Sequence, residues 1–408
     1  MDLLVVLVFA ATYLGMALGR VPGLKLDRTG IALMAAVLLL ATGRITVAGV
    51  GRAIDAPTLL LLFALMIVSA QFQAAGFYRY AAERVTAAEG GAVRLLALTV
   101  AVAGSLSALL ANDIVVFAMA PVLARGARDR GLDARPYLIA LAGAANAGSA
   151  ITVIGNPQNI LIGQAGGLDF LDFLVVCGPP GGVALLVVFA VVRATWRDAL
   201  SVSAPAAAAS PAPPDAAQTA KGGLAVVALV AVFLSPLPRE VGALAVAALL
   251  LASRRMASRD MIGAVDWHLL VLFAGLFVVT AAFSATGLSA EGAAWLAGHG
   301  LLPGRVTVMA PLMLAASNGI GNVPAVILLL SVWPDLDAGT LYGVALLSTL
   351  AGNLFIVGSL ANIIVVERAA TAGVRLGFRD HARSGVPMTL ISMAAAALWL
   401  LVTGQMRL

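Results

Sequence analysis

The sequence predicts an all-α polytopic membrane protein made of two inverted repeats, with about ten transmembrane helices, two re-entrant hairpins and broken helices at a substrate site. Three observations predict it. The 408 residues are 61% hydrophobic and 11% charged, with a mean hydropathy of +1.02, far from the composition of a soluble domain. Apolar runs able to cross roughly 30 Å of hydrocarbon recur along the chain. A segment also repeats: residues 55–76 read DAPTLLLLFALMIVSAQFQAAG and residues 266–287 read DWHLLVLFAGLFVVTAAFSATG. A shift of 211 superposes Asp55 on Asp266, Phe72 on Phe283 and Gly76 on Gly287, and a shift of 210 brings Asn112 opposite Asn322. Forty-two glycines and 6% aromatics suit close helix packing better than a lipid-facing barrel.

The elements follow from apolar runs between charged or Pro/Gly-rich breaks. The first run, residues 3–19, lacks a basic n-region and a small-residue cleavage pattern, so it reads as a retained span and not a signal peptide. Further crossings are expected near 29–43, 57–76, 136–164, 170–192, 223–237, 240–253, 267–287, 338–366 and 385–404. Two shorter apolar pairs, near 95–124 and 305–333, are each interrupted at their centre, by LLANDIVV and ASNGIGNVPA. Irregular backbone at membrane depth needs protein or a water-filled cavity around it, so both pairs read as re-entrant hairpins. Residues 201–221, with SVSAPAAAASPAPPDAAQ, read as an Ala/Pro/Ser tether between a first repeat, 1–200, and a second, 222–408.

Basic residues give the layout a direction. With both hairpins returning to their side of entry and both termini outside, twenty of the 25 Lys and Arg residues fall in inner loops. Among them are Arg20, Lys25 and Arg28, four arginines from Arg125 to Arg135, and four from Arg368 to Arg383. Only Arg44, Arg52, Arg239, Arg305 and Arg407 fall outside. That is a strong positive-inside bias. It makes the formal charge of +5 an orientation signal, not a nucleic-acid footprint. Five crossings per half is odd, so the second copy must invert, the first hairpin opening inward and the second outward. The expected setting is a bacterial cytoplasmic (inner) membrane. Cys177, the only cysteine, reads as a packing residue.

Each half pairs a hairpin tip with a polar break in the following long span. The first half has Ala111-Asn112-Asp113 and Gly155-Asn156-Pro157-Gln158-Asn159. The second has Gly321-Asn322-Val323-Pro324, preceded by Asn318, and Gly358-Ser359-Leu360-Ala361-Asn362. Glycine and proline interrupt a helix and free its carbonyls for a cation, while new half-helix N-termini offer N–H groups to an anion. Asparagine alone usually serves as helix glue, but glue does not require paired helix breaks. Asp113 is the one acidic residue expected deep in the apolar zone, so it should face a cavity, pair with a cation or carry a proton. Capping of the hairpin half-helix is its structural alternative. Asp55 and Asp266 read as interfacial caps, and Glu367 as an ion pair with Arg368. The three histidines form no metal cluster, and no membrane arginine is expected at the site. Neither HExxH nor GxSxG occurs, so an enzyme is not expected.

At these residues the chain resembles the ion-transporter superfamily of arsenite exporters, NhaD-type sodium/proton antiporters and divalent-anion/sodium symporters. The motifs are AND…P (Asn112, Asp113, Pro121), NAGSAITVIGNPQN, SN…NVP and GSLAN. The likeness is greatest to short bacterial permeases of the arsenite-exporter-like branch. The resemblance implies inverted repeats, commonly a homodimer, and an elevator-like motion of the part bearing the hairpins. In the symporter branch each tip and its matching break form a sodium site. The implied sites are Asn112 with Gly155, Asn156, Pro157 and Asn159, and Asn318 and Asn322 with Gly358, Ser359 and Asn362. The tips here lack the symporters' Ser-Asn-Thr hydroxyls, and Asp113 instead resembles the Asn-Asp of arsenite exporters, which favours proton coupling. The expected function is secondary transport of a small anion or oxyacid, coupled to protons or sodium. A sodium/proton antiporter without an anion substrate is the alternative. No cofactor is expected beyond a sodium ion at these same residues. The expected partners are the substrate, the lipid bilayer and a second copy of the chain, with no nucleic acid.

Overall fold

The computed structural model describes residues 2–19, 23–202 and 211–408, and the regular structure there is helical. Arg20 and residues 203–210 of the expected tether lie outside the described residues. The first half runs α1 (Leu3–Leu18), α2 (Arg28–Ala41), α3 (Val47–Ala53), α4 (Ala56–Ala74), α5 (Phe77–Ala87), α6 (Ala92–Leu109), α7 (Asn112–Asp129), α8 (Arg135–Ser149), α9 (Pro157–Ala165), α10 (Phe170–Thr195) and the short α11 (Arg197–Leu200). The second runs α12 (Ala216–Phe233), α13 (Arg239–Leu251), α14 (Ser258–Gly263), α15 (Trp267–Ser284), α16 (Leu288–Gly298), α17 (Val306–Ile320), α18 (Asn322–Val332), α19 (Ala338–Ala351), α20 (Leu360–Thr371) and α21 (Phe378–Val402). Six helices are long and apolar enough to cross a membrane: α4, α6, α10, α12, α15 and α21. The protein is a multi-pass membrane protein.

The repeat persists in the helix bounds. Moving α3, α4 and α5 by 211 places them on α14, α15 and α16, and α5 coincides with α16 end for end. Local chemistry explains why these helices start where they do. Asp55 caps α4 by accepting from Thr58 N, and Asp266 caps α15 by accepting from Leu269 N. The two copies interlock: α2 packs on α15, and reciprocally α4 packs on α13.

Three expectations change. The tether is shorter than 201–221, because α12 begins at Ala216, capped by Asp215. The first hairpin is longer than 95–124: α6 alone is 18 residues, about 27 Å of helix, and so is not a short arm. It still folds back through the two residues Leu110 and Ala111, and α6 packs on α7. Arg130, just past α7, donates to the carbonyls of Thr86, Ala88 and Gly90, just before α6, so both ends of the hairpin meet on one side. Finally, α3, α5, α14 and α16 are short helices that the apolar-run reading passed over.

Polar contacts also agree with the assignment of loops to two faces. On the Arg-rich face, Arg135 pairs with Asp133 and Asp380, Arg128 donates to Ala372 O and Lys221 to Leu250 O. On the other face, Arg44 pairs with Asp2, and Arg305 bridges to Arg407.

Candidate functional site

The second hairpin turns on one residue. Gly321 joins α17 to α18 with φ +95°, a conformation that a side chain would strain. It sets Asn322 at the first position of α18. In the first hairpin the extended Leu110–Ala111 link, with Ala111 N donating to Ser69 Oγ, sets Asn112 and Asp113 in the first turn of α7. Asp113 makes no capping hydrogen bond, so the cap reading does not describe it; its half-buried side chain lines a cavity instead.

The two breaks are built alike. In the first, Asn156 caps α9 by accepting from Asn159 N at 2.8 Å, with Pro157 at the first helical position. Asn159 Nδ2 donates to Ser149 O (3.1 Å) and Thr152 O (3.0 Å). A shift of 203 carries Asn159 to Asn362, whose Nδ2 donates to Gly352 O (2.8 Å) and Phe355 O (3.0 Å), the shifted counterparts. Gly155 and Gly358 fit the same role: a Cβ on either would drive into the preceding turn, against Ser149 O and against Asn318 Oδ1 and Gly352 O. Ser149 O and Gly352 O are carbonyls that the broken helix leaves without a backbone donor, while Thr152 O and Phe355 O also accept from Gly155 N (3.3 Å) and Gly358 N (3.1 Å).

The copies also bond to one another, reciprocally. Asn146 on α8 accepts from Ser359 Oγ at 3.0 Å and approaches Asn362 Oδ1 at 3.5 Å. Its counterpart under the same shift, Thr349 on α19, meets Asn156 Nδ2 at 3.3 Å and Asn159 Oδ1 at 3.5 Å. Gln158 adds a bond to Thr349 at 3.1 Å. Asn146 also donates to Asn353 Oδ1 at 2.8 Å and accepts from Asn112 Nδ2 at 3.5 Å. Asn353 O is in turn held by His381 Nε2 at 3.1 Å.

Both tips and both breaks converge on one cavity of about 490 Å³. Of the residues singled out from sequence, Asn112, Asp113, Pro157, Asn322, Gly358 and Ser359 line it. Asn156 lines an adjoining cavity of about 60 Å³, together with Asn112, Asp113 and Pro157. Gly155, Asn159, Asn318 and Asn362 line neither. Asn159, Asn318 and Asn362 turn their amide nitrogens to backbone carbonyls and brace the breaks. Among the described residues three asparagine oxygens, on Asn112, Asn318 and Asn322, are buried without a hydrogen-bond partner. Two of them are repeat mates on the two tips.

Sequence reasoning missed several lining groups. Arg28, expected in a loop away from the site, lines the large cavity with its Nε tied to Met16 O at 3.1 Å. The expectation of no arginine at the site fails because the start of α2 reaches the tip of the second hairpin. Glu367 lines the cavity as well and makes no ion pair with Arg368 among the described residues; Arg368 lies over the Phe117 ring at 4.1 Å instead. Asp27, Asp266 and His268 complete the charged or titratable lining. Asn146 also lines it; its signal was its place in NAGSAITVIGNPQN, nine residues before Gly155.

Comparison with known proteins follows the same lines. The citrate transporter family model matches residues 5–340. A 46 kDa membrane protein of Mycobacterium leprae is 28% identical, with 98% of each chain covered. The silicon efflux transporter LSI3 of Oryza sativa subsp. japonica is 28% identical over 92% of each chain. Among solved structures, the YdaH transporter of Alcanivorax borkumensis shares the fold with a TM-score of 0.58 at 14% identity, over 98% of this chain and 96% of that one.

Proposed function

The chain belongs to the citrate transporter family, and from that premise we propose that it moves a small oxyacid of low charge across the bacterial inner membrane by proton-coupled alternating access. The observation that carries this reading is the one cavity on which two inverted tip-and-break pairs converge. Cargo held between the tips would meet neutral amides: Asn112, Asn322 and Asn146. Around them stand four carboxylates, Asp27, Asp113, Asp266 and Glu367, against a single arginine, Arg28, among the described residues. A multiply charged carboxylate would be repelled by that excess at short range in a medium less polarisable than water. An undissociated oxyacid would not be.

The cavity is lined by the end of α1 and the starts of α2 and α15, beside the Arg-rich loops. With those loops inside and both termini outside, this is an inward-facing form. Asp113 is the coupling residue, since it is the one charged residue of the two tips; its counterpart is Val323. The hairpins would carry cargo past the interlocked α2, α4, α13 and α15 in an elevator-like stroke.

Proteoliposome uptake tests the reading. Arsenite should enter in a saturable manner, be stimulated by arsenite trapped inside, and acidify or alkalinise the lumen as it moves. Asp113→Asn should abolish the proton movement. Uptake of citrate with indifference to arsenite would refute the cargo class, and proton-coupled flux retained in the Asp113→Asn protein would refute the coupling role.

A further inference from the structure

Asp266 is more than a helix cap. Its repeat mate Asp55 performs the same capping, accepting from Thr58 N and Thr58 Oγ1, yet lines neither cavity. Asp266 uses Oδ1 to cap α15 and lines both cavities alongside Asp113. The smaller cavity, about 60 Å³, exceeds the roughly 10–15 Å³ that one water requires, so a partly hydrated ion fits. Its polar lining is Asp113, Asp266, Asn112 and Asn156; the rest is apolar, from α4, the first hairpin, the first break with α9, and the start of α15. Asn156 has its oxygen and nitrogen engaged within the break. Asn112 does not: it is 5% exposed, its nitrogen is turned to Asn146, and its Oδ1 is buried without a partner.

We propose that Asp113, Asp266 and the free Oδ1 of Asn112 form a binding site for a small monovalent cation, bridging the first hairpin to α15 of the opposite repeat. Hard oxygen donors of this kind, two of them anionic, suit sodium or a proton and not a soft metal. The site differs from a tip-and-break site because one ligand comes from outside the hairpins and breaks. The other charged or titratable groups facing it across the larger cavity are Asp27 and Arg28 of α2, His268 of α15 and Glu367 of α20; α4 contributes only apolar side chains.

The consequence for transport rests on the function proposed above. If the first hairpin moves relative to α15, the two carboxylates separate and a shared cation loses one of its anionic ligands. The cation is then held tightly in one state and weakly in the other, and such differential affinity is what couples an ion to a conformational change.

The test uses full-length purified protein and sodium as the probe. Thermal stability is followed against NaCl, with choline chloride holding ionic strength constant, at mildly alkaline and mildly acid pH. Protonated-carboxyl infrared absorption is followed over the same range. Three variants are compared: Asp113→Asn, Asp266→Asn and Asp55→Asn. Asparagine is itself a good N-cap, so Asp266→Asn keeps the helix start and removes only the charge; Asp266→Ser is a second cap-preserving control. The expected result is sodium stabilisation that weakens as protons compete, lost in Asp113→Asn, needing at least about tenfold more sodium in Asp266→Asn, and unchanged in Asp55→Asn. A silent sodium arm with a protonated-carboxyl band lost in both Asp113→Asn and Asp266→Asn would identify the occupant as a proton and support the site equally. Asp266→Asn behaving like Asp55→Asn in both arms would overturn the inference while leaving an Asp113 effect intact. An Asp113→Asn protein also indistinguishable from wild type would instead refute the coupling role proposed for Asp113.

Discussion

Replacing Asn362 by alanine probes how the broken helices are held open. Its Nδ2 donates to Gly352 O at 2.8 Å and Phe355 O at 3.0 Å, and the side chain is 1% exposed. Truncation leaves Gly352 O without a donor, while Phe355 O keeps its bond from Gly358 N at 3.1 Å. Interhelical hydrogen bonds in membranes average only about 0.6 kcal/mol net, which would make the loss just over ~1 kcal/mol. An orphaned buried acceptor costs about 1–3 kcal/mol, which with ~0.6 kcal/mol for the second bond would make it ~2–4 kcal/mol. The second figure should apply, because Gly352 O sits inside the break, where no helical N–H can be substituted. Asn362→Asp sharpens the test. It keeps the shape but turns an ionised oxygen toward two carbonyls, so it should be worse than alanine. Equilibrium unfolding in mixed micelles would measure both, with Asn159→Ala as the repeat-related control, expected to cost less than Asn362→Ala because Ser149 O keeps Asn156 Nδ2 and Thr152 O keeps Gly155 N, each at 3.3 Å. A loss under ~1 kcal/mol for Asn362→Ala, or an aspartate variant as stable as wild type, would refute the bracing role.

Other outcomes follow from the same geometry. Gly155→Ala should destabilise by at least ~1–3 kcal/mol, because its Cβ meets backbone at Ser149 and not a mobile side-chain end; a thermal melt within a degree of wild type would contradict this. Gly358→Ala meets mainly the Asn318 side chain, which can turn away, so its cost should be smaller in the same measurement. On the Arg-rich face, burial alone would raise the Asp133 carboxyl, but its bonds and charge contact with Arg135 outweigh that and hold it below the usual carboxylate range. Its stabilisation is therefore present above the ordinary aspartate value near ~4 and is lost as pH falls through the lower folded value. For so exposed a pair the effect is below ~1 kcal/mol, and Asp133→Asn should remove it from an acid-unfolding curve.

The sequence carried the break motifs, the tips and the repeat, because each is a local consequence of residue type. Glycine and proline weaken a helix through their own backbones, though α10 carries Pro179 and Pro180 unbroken, and a buried run without charge needs lipid or protein around it. Loop placement was legible for the same reason, and the contacts of Arg135, Arg128, Lys221 and Arg44 link residues assigned to common faces. Boundaries were less legible. The Ala/Pro/Ser composition of 201–221 hid the start of α12, because Asp215 followed by Ala216 and Ala217 is also a good helix entry. Glu367 and Arg368 are adjacent in sequence and were read as partners, yet neighbouring helical residues do not face each other.

By itself, then, the sequence determined that this chain crosses a membrane repeatedly, that it is doubled, and that it carries four polar interruptions. Hydropathy, glycine, proline and a repeating register are properties of the chain read in order. Only the tertiary structure decided which of those polar residues face open space. Asn159 and Asn362 look like ligands in sequence and act as braces, while Arg28, Asp266 and Glu367 look like loop charges and line the cavity. The physical reason is that an amide can satisfy a carbonyl or a ligand with the same atoms. Which it meets depends on helices that pack together from opposite halves of the chain, and no local pattern encodes that meeting.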